Sequence, residues 1–67
     1  MSVAKVIELS SSSPKGIEDA VQQGLHKVSK TVKNIKGAWV NEIKVSTGAD
    51  GSVTEWRVNM RINFIVD

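Results

Sequence analysis

Cysteine is absent from these 67 residues, so neither a disulfide nor a thiolate metal site can brace the fold. Histidine occurs once, as His26, which leaves zinc without its usual ligand set. Aromatic residues are scarce: Trp39, Trp56 and Phe64. No apolar run approaches the ~20 residues that a helix needs to span a bilayer. The opening Met1, Ser2, Val3, Ala4 and Lys5 lack the apolar core of a signal peptide. A cytoplasmic protein with no membrane partner is therefore expected. The formal charge is only +2. That excess permits anionic ligands but lacks the dense basic patch of nucleic-acid binders, so nucleic acid is not an expected partner. One domain, residues 1–67, is all the length allows. A core of this size is marginal. With disulfides and metals set aside, oligomerisation is the natural stabiliser.

What the chain does have is periodicity. Residues 54–67 alternate in steps of two. Trp56, Val58, Met60, Ile62, Phe64 and Val66 fall on one side, and Glu55, Arg57, Asn59, Arg61 and Asn63 on the other. Successive side chains of a strand point to opposite faces, so this is a long strand with one buried face. Its other face carries the planar donors of two arginines and two asparagines. Residues 4–9 form a shorter strand candidate, followed by the serine run Ser10, Ser11, Ser12 and Ser13, read as a loop. Ser13 and Pro14 suit the start of a helix. Ile17, Ala20, Val21, Leu25, Val28, Val32 and Ile35 recur at spacings of three and four, which predicts a helix over residues 14–35. Gly24 lies on that stripe, which points to a close approach to the sheet. Lys27, Lys30, Lys33 and Lys36 suit the helix C-terminal dipole, and Gly37 is placed to close the helix. Residues 39–45 give a second strand, with Trp39, Asn41, Ile43 and Val45 on one face and Ala38, Val40, Glu42 and Lys44 on the other. Residues 47–52 form a turn.

The predicted order is β–α–β–β, an α+β fold with an antiparallel sheet packed on one helix. A single helix covers one face only. The open face and the free edges invite further copies of the chain, and a closed symmetric assembly is the physical expectation. No paired carboxylates, nucleophile–base set or phosphate-cradling glycine loop is present, so catalysis has no visible carrier and an enzyme is not expected.

The chain resembles the dodecin family. The residues that carry the likeness are Lys5, Val6, Ile7, Glu8 and Leu9, then Ser12, Ser13, Pro14, Lys15, Gly16, Ile17, Glu18, Asp19 and Ala20. Thr31, Val32, Lys33, Asn34, Ile35 and Val40 follow, with Trp56, Arg57, Val58, Ile62, Asn63 and Phe64 at the end. The resemblance implies a β1-α-β2-β3 subunit whose three-stranded antiparallel sheet wraps one helix. Twelve copies would build a hollow homododecamer. It also implies a non-enzymatic storage protein that holds a flavin, such as riboflavin or FMN, between subunits. In flavin-binding members a tryptophan at the start of the second strand stacks on the ring; that position falls on Gly37, followed by Ala38, with Trp39 at a usual glutamate place. A glutamine of the third strand that bonds the flavin edge corresponds to Arg57. Both positions depart from the pattern, and the chain is closer to the calcium-associated branch that lacks the stacking tryptophan.

Gly37, Trp39 and Arg57 are thus the candidate ligand-binding residues. Trp39, two residues beyond Gly37, is placed either to stack on a planar ligand or to pack at a subunit contact. Arg57 donates but cannot accept, which suits carbonyl or phosphate oxygens; otherwise it pairs with Glu55 or Glu42 of a neighbouring copy. A flavin-free shell is the alternative. It would hold calcium, or an anion such as coenzyme A, or serve only as a scaffold. No acidic cluster identifies metal ligands. Asp50 with the carbonyls of residues 47–51 is a thin oxygen set for calcium.

Overall fold

The alternation of the C-terminal stretch is realised as β3 (Val53–Val66), the central strand of the sheet. The computed structural model describes residues 3–66. Along the chain come β1 (Val3–Ser13), α1 (Ile17–Ser29), β2 (Ile35–Thr47) and β3. Both β1 and β2 pair antiparallel with β3, giving the order β1-β3-β2. This is the expected α+β architecture.

Several boundaries differ from expectation. The serine run is not a loop: Ser10, Ser11, Ser12 and Ser13 continue β1 opposite Asn59, Val58, Arg57 and Trp56. Ser11 and Ser13 face the helix, which packs close above them, so small residues are needed at those two positions. Ser13 is 2 % exposed. Its hydroxyl accepts from the Lys15 amide at 2.9 Å and donates to Asp19 Oδ2 at 2.5 Å. Ser13 therefore ties the end of β1 to the first turn of α1, instead of capping a helix that begins at Pro14; Gly16 occupies the cap position.

The helix also stops earlier than residue 35. The Lys30 amide donates to Lys27 O, and the Thr31 and Val32 amides to Val28 O. Asn34 then takes a left-handed conformation, φ 63°, which asparagine tolerates better than most residues. That residue, not Gly37, makes the break between helix and strand. Val32 leaves the apolar stripe and Ile35 becomes the first residue of β2. The helix stripe does meet the sheet, over β1 and β3. Ala20, Val58 and Met60 are buried together, with Leu9 and Val21 packed against them, and Ile62 is fully buried too. Gly24 is buried beneath this contact, as its place on the stripe suggested. A Cβ there would lie 2.7 Å from the Met60 methyl.

β2 departs most from a regular strand. Val40 pairs with Met60 and Glu42 with Asn59, so Asn41 is an extra residue. A β-bulge of this kind switches which face later side chains occupy. Regular alternation placed Ile43 and Val45 with Trp39. The bulge instead sets Ile43 opposite Val58 and Val45 opposite Trp56, on the helix side, and turns Glu42 and Lys44 to the polar side. The apolar residues of β2 thereby fall in one row, but the helix does not reach them. Val40, Ile43 and Val45 remain 42 %, 56 % and 41 % exposed.

The subunit is long and thin, with extents of 53 × 19 × 13 Å and a radius of gyration of 13.9 Å. A compact chain of this length would have about 11 Å. Its accessible surface of 4941 Å² also exceeds the roughly 4,200 Å² of a compact monomer of this mass. A single helix cannot cover a sheet of this length, and it packs on β1 and β3 while β2 is left bare.

Candidate functional site

The face of the sheet opposite the helix is polar because the β3 alternation makes it so, and the bulge extends that polarity into β2. Glu55, Arg57, Asn59, Arg61 and Asn63 run down its centre. They are flanked by Ser46, Lys44, Glu42, Trp39 and Gly37 from β2 and by Ser12, Ser10, Glu8 and Val6 from β1. Cross-strand bonds organise this surface. Arg61 Nε donates to Glu8 Oε1 at 3.3 Å, and Asn59 Nδ2 to Glu42 Oε1 at 2.8 Å. Arg57 Nε donates to Ser12 Oγ at 3.0 Å, while its Nη2 lies 3.7 Å from Glu55 Oε1. These groups are solvent-exposed, so each such pair contributes well under ~1 kcal/mol. Their effect is to orient side chains.

All three candidate residues lie on this face. Gly37 is opposite Asn63 and Trp39 opposite Arg61, two positions apart on β2. A Cβ on Gly37 would sit 3.4 Å from Asn63 Oδ1, so the glycine leaves a shallow gap beside the indole. Trp39 is 60 % exposed. Arg57 is opposite Lys44 and Ser12, four residues from Arg61 along β3, or roughly 13 Å at the rise of an extended strand. Gly37 and Trp39 are thus neighbours, while Arg57 belongs to a separate row of the same face. Between the rows lies an open depression of about 440 Å³ lined by Glu8, Ser10, Asn41, Glu42, Asn59 and Arg61.

Glu42 and Lys44 were not expected beside Trp39, since strict alternation put them on the other face with Ala38 and Val40. The one hint in the sequence is that a face shared by Val40 and Lys44 cannot be buried without a switch between them.

The remaining candidates are less organised. His26 is exposed on the helix. Asp50 closes the β2–β3 turn: its Oδ1 accepts from the Ser52 amide at 3.0 Å and the Ser52 hydroxyl at 2.7 Å. These bonds, the hydroxyl's first, lower its pKa. Gly51 takes φ 85° and its amide donates to Gly48 O at 3.0 Å. The lone carboxylate is thus committed to the turn. Among the described residues no group of three or more His, Cys, Asp or Glu side chains is placed to hold a metal ion. Nor is any helix of the described residues long and apolar enough to cross a membrane.

No curated protein sequence matches the chain. Among solved structures, a variant of the dodecin of Thermus thermophilus is 31% identical, covers 100% of this chain and 98% of its own, and superposes with a TM-score of 0.91. The dodecin of Streptomyces davaonensis is 27% identical over 98% of this chain and 96% of its own, with a TM-score of 0.89. The calcium dodecin of Mycobacterium tuberculosis, described as a calcium-chelating immunodominant antigen, is 25% identical over 97% and 91%, with a TM-score of 0.81. The dodecin family model matches residues 3–67. With that match running through every element of the fold, the chain belongs to the dodecin family.

Proposed function

We propose that this chain is a non-enzymatic storage protein that binds a flavin, such as riboflavin or FMN, at sites between copies of itself in a homododecamer. The observation that carries the ligand reading is Trp39: a large indole, 60 % exposed, held on a bonded polar face instead of in the core. An isolated exposed Trp on a strand has no structural use in a single chain, and its π-face is suited to an aromatic ring. The gap at Gly37 and the donors of Asn63 and Arg61 beside it fit a planar, carbonyl-rich ligand.

Assembly is supported by the exposed row of Val40, Ile43 and Val45 and by the elongated shape of the subunit. The Trp39 row and the Arg57 row are far enough apart in one chain that facing copies can each supply part of an enclosed site. A cytoplasmic setting agrees with a metabolite store. The test is to titrate riboflavin and FMN with the pure protein and follow flavin fluorescence. Quenching at micromolar concentrations is expected, and Trp39→Ala should abolish it. A wild-type protein that leaves both fluorescences unchanged would sink the flavin reading.

Calcium is the second reading, favoured by the likeness to the calcium dodecin. The residues of this chain fit it less well. Asp50 is already engaged by Ser52, and among the described residues no further acid joins it. Calorimetry with calcium separates the two readings: heat with calcium and none with flavin would reverse the order.

A further inference from the structure

We propose that the turn between β2 and β3 carries a latent isoaspartate site at Asp50, which the folded turn holds in check through Ser52 and Gly48. The reaction joins the side chain to the next amide. The Gly51 nitrogen attacks Asp50 Cγ, its proton is lost and the carboxyl hydroxyl leaves as water, closing a five-membered succinimide. Water then adds to one of the two ring carbonyls. Addition at Cγ restores aspartate. Addition at the main-chain carbonyl breaks the original peptide bond and leaves the chain running through Cγ. Overall no atom is gained or lost, and no oxidant is needed.

A bulky following residue hinders the attack, so the reaction favours glycine. Asp50 is the one acid of the sequence that glycine follows, whereas Asn34, Asn41, Asn59 and Asn63 precede Ile35, Glu42, Met60 and Phe64. Asp50, Gly51 and Ser52 are all exposed. A Cβ on Gly51 would meet no atom within 4 Å, so no side chain crowds the attacking residue. The folded turn opposes the reaction at both atoms that must meet. Asp50 Oδ1 accepts from the Ser52 amide at 3.0 Å and from the Ser52 hydroxyl at 2.7 Å, the side-chain turn that aspartate makes with the amide two residues on. These bonds favour the ionised carboxylate, which has no hydroxyl to lose as water. The Gly51 amide donates to Gly48 O at 3.0 Å, so its proton is engaged. The Gly48 amide closes the same turn on Ser52 O at 2.9 Å, and Gly51 is held at φ 85°, which glycine adopts at little cost. Isomerisation would add a methylene to this backbone and move the carboxylate that Ser52 binds. The end of the hairpin, where Thr47 pairs with Val53, would then loosen.

The full chain, as wild type, Ser52→Ala and Ser52→Thr, would be incubated at neutral pH both folded and in urea. Trypsin releases the turn in a peptide of residues 45–57, and electron-transfer fragmentation of that peptide distinguishes the two isomers, which have equal mass. Unfolded wild type should convert about tenfold or more faster than folded wild type, because the folded chain must first open the turn. Ser52→Ala should raise the folded rate about fivefold, the order expected for one lost hydrogen bond. Ser52→Thr keeps the hydroxyl and should stay near wild type. In urea all three chains should convert alike. Folded wild type converting as fast as the unfolded chain, or no conversion in either state, would overturn the proposal. So would a folded Ser52→Ala chain no faster than wild type. Circular dichroism checks the fold of each variant, and the wild-type ratio of folded to unfolded rates decides the matter if a variant does not fold.

Discussion

Replacing Gly24 by alanine sets two magnitudes against each other. In the middle of a helix the change gains about 1 kcal/mol of intrinsic propensity. The structure opposes it. The new Cβ would lie 2.7 Å from Met60 Cε, 3.0 Å from Ser11 Cβ and 3.2 Å from Leu9 Cδ1. Carbon atoms prefer ~3.5–4.0 Å. The Met60 methyl is the end of a flexible side chain, but Met60 is 1 % exposed and has no open space to enter. Ser11 Cβ is fixed to the backbone of a paired strand and cannot turn away. Overpacking of this kind costs about 1–3 kcal/mol, so a net loss of roughly 1 kcal/mol is expected. In a domain of this size that lowers the melting temperature by about 4–8 °C. Thermal and urea unfolding should be compared at one fixed protomer concentration, because assembly is coupled to stability. Met60→Val provides the second arm. With the long side chain shortened, the same Gly24→Ala change should cost less or become favourable, a coupling of about 1 kcal/mol. A Gly24→Ala protein more stable than wild type, or a cycle with no coupling, would refute the close-approach argument.

Two further outcomes follow from the same structure. Asp19 has its pKa lowered below the ordinary 3.8, first by the Ser13 hydroxyl, against a smaller opposing effect of burial. A depressed folded-state value means that its contribution is complete above the unfolded pKa and is lost as pH falls through the folded one. Carboxyl NMR titration should therefore find Asp19 below 3.8 in wild type and closer to 3.8 in Ser13→Ala; an unchanged midpoint would contradict the bond. For assembly, Val40→Asp and Ile43→Asp change side chains that are 42 % and 56 % exposed in one chain. Each should leave helix and sheet content intact while light scattering shows a smaller particle, and an unaltered mass would place the subunit contacts elsewhere.

Much of this fold was legible because its signals are local and repeated. The β3 alternation fixed both faces of the central strand, and the stripe through Ile17, Ala20, Val21, Leu25 and Val28 fixed the helix that covers one of them. The boundaries were less so. The stripe runs on in sequence through Val32 and Ile35, but a period of three or four registers neither the end of the helix at Ser29 nor the left-handed residue at Asn34 that turns the chain into β2. The serine run looked like a loop because serine favours turns. Here its small side chains matter more, letting Gly24 and the helix approach β1.

The candidate site depends on the one element that the sequence hides most completely. Gly37 and Trp39 precede the bulge at Asn41 and Arg57 lies on β3, so all three share the polar face. Everything on β2 after Asn41 was assigned to the wrong face. The extra residue does two things at once. It moves Ile43 and Val45 to the side where further apolar surface can cover them, and it brings Glu42 and Lys44 to the side where the donors are. A strand with no bulge would scatter both rows, leaving Ile43 and Val45 on the polar face and Lys44 on the helix side of the sheet. The amphipathic character of β2 beyond Val40 is therefore not written in its period but in the irregularity at Asn41. That is why Asn41, which itself shows no bond to the candidate residues, has more influence over what this face can bind than any single donor upon it.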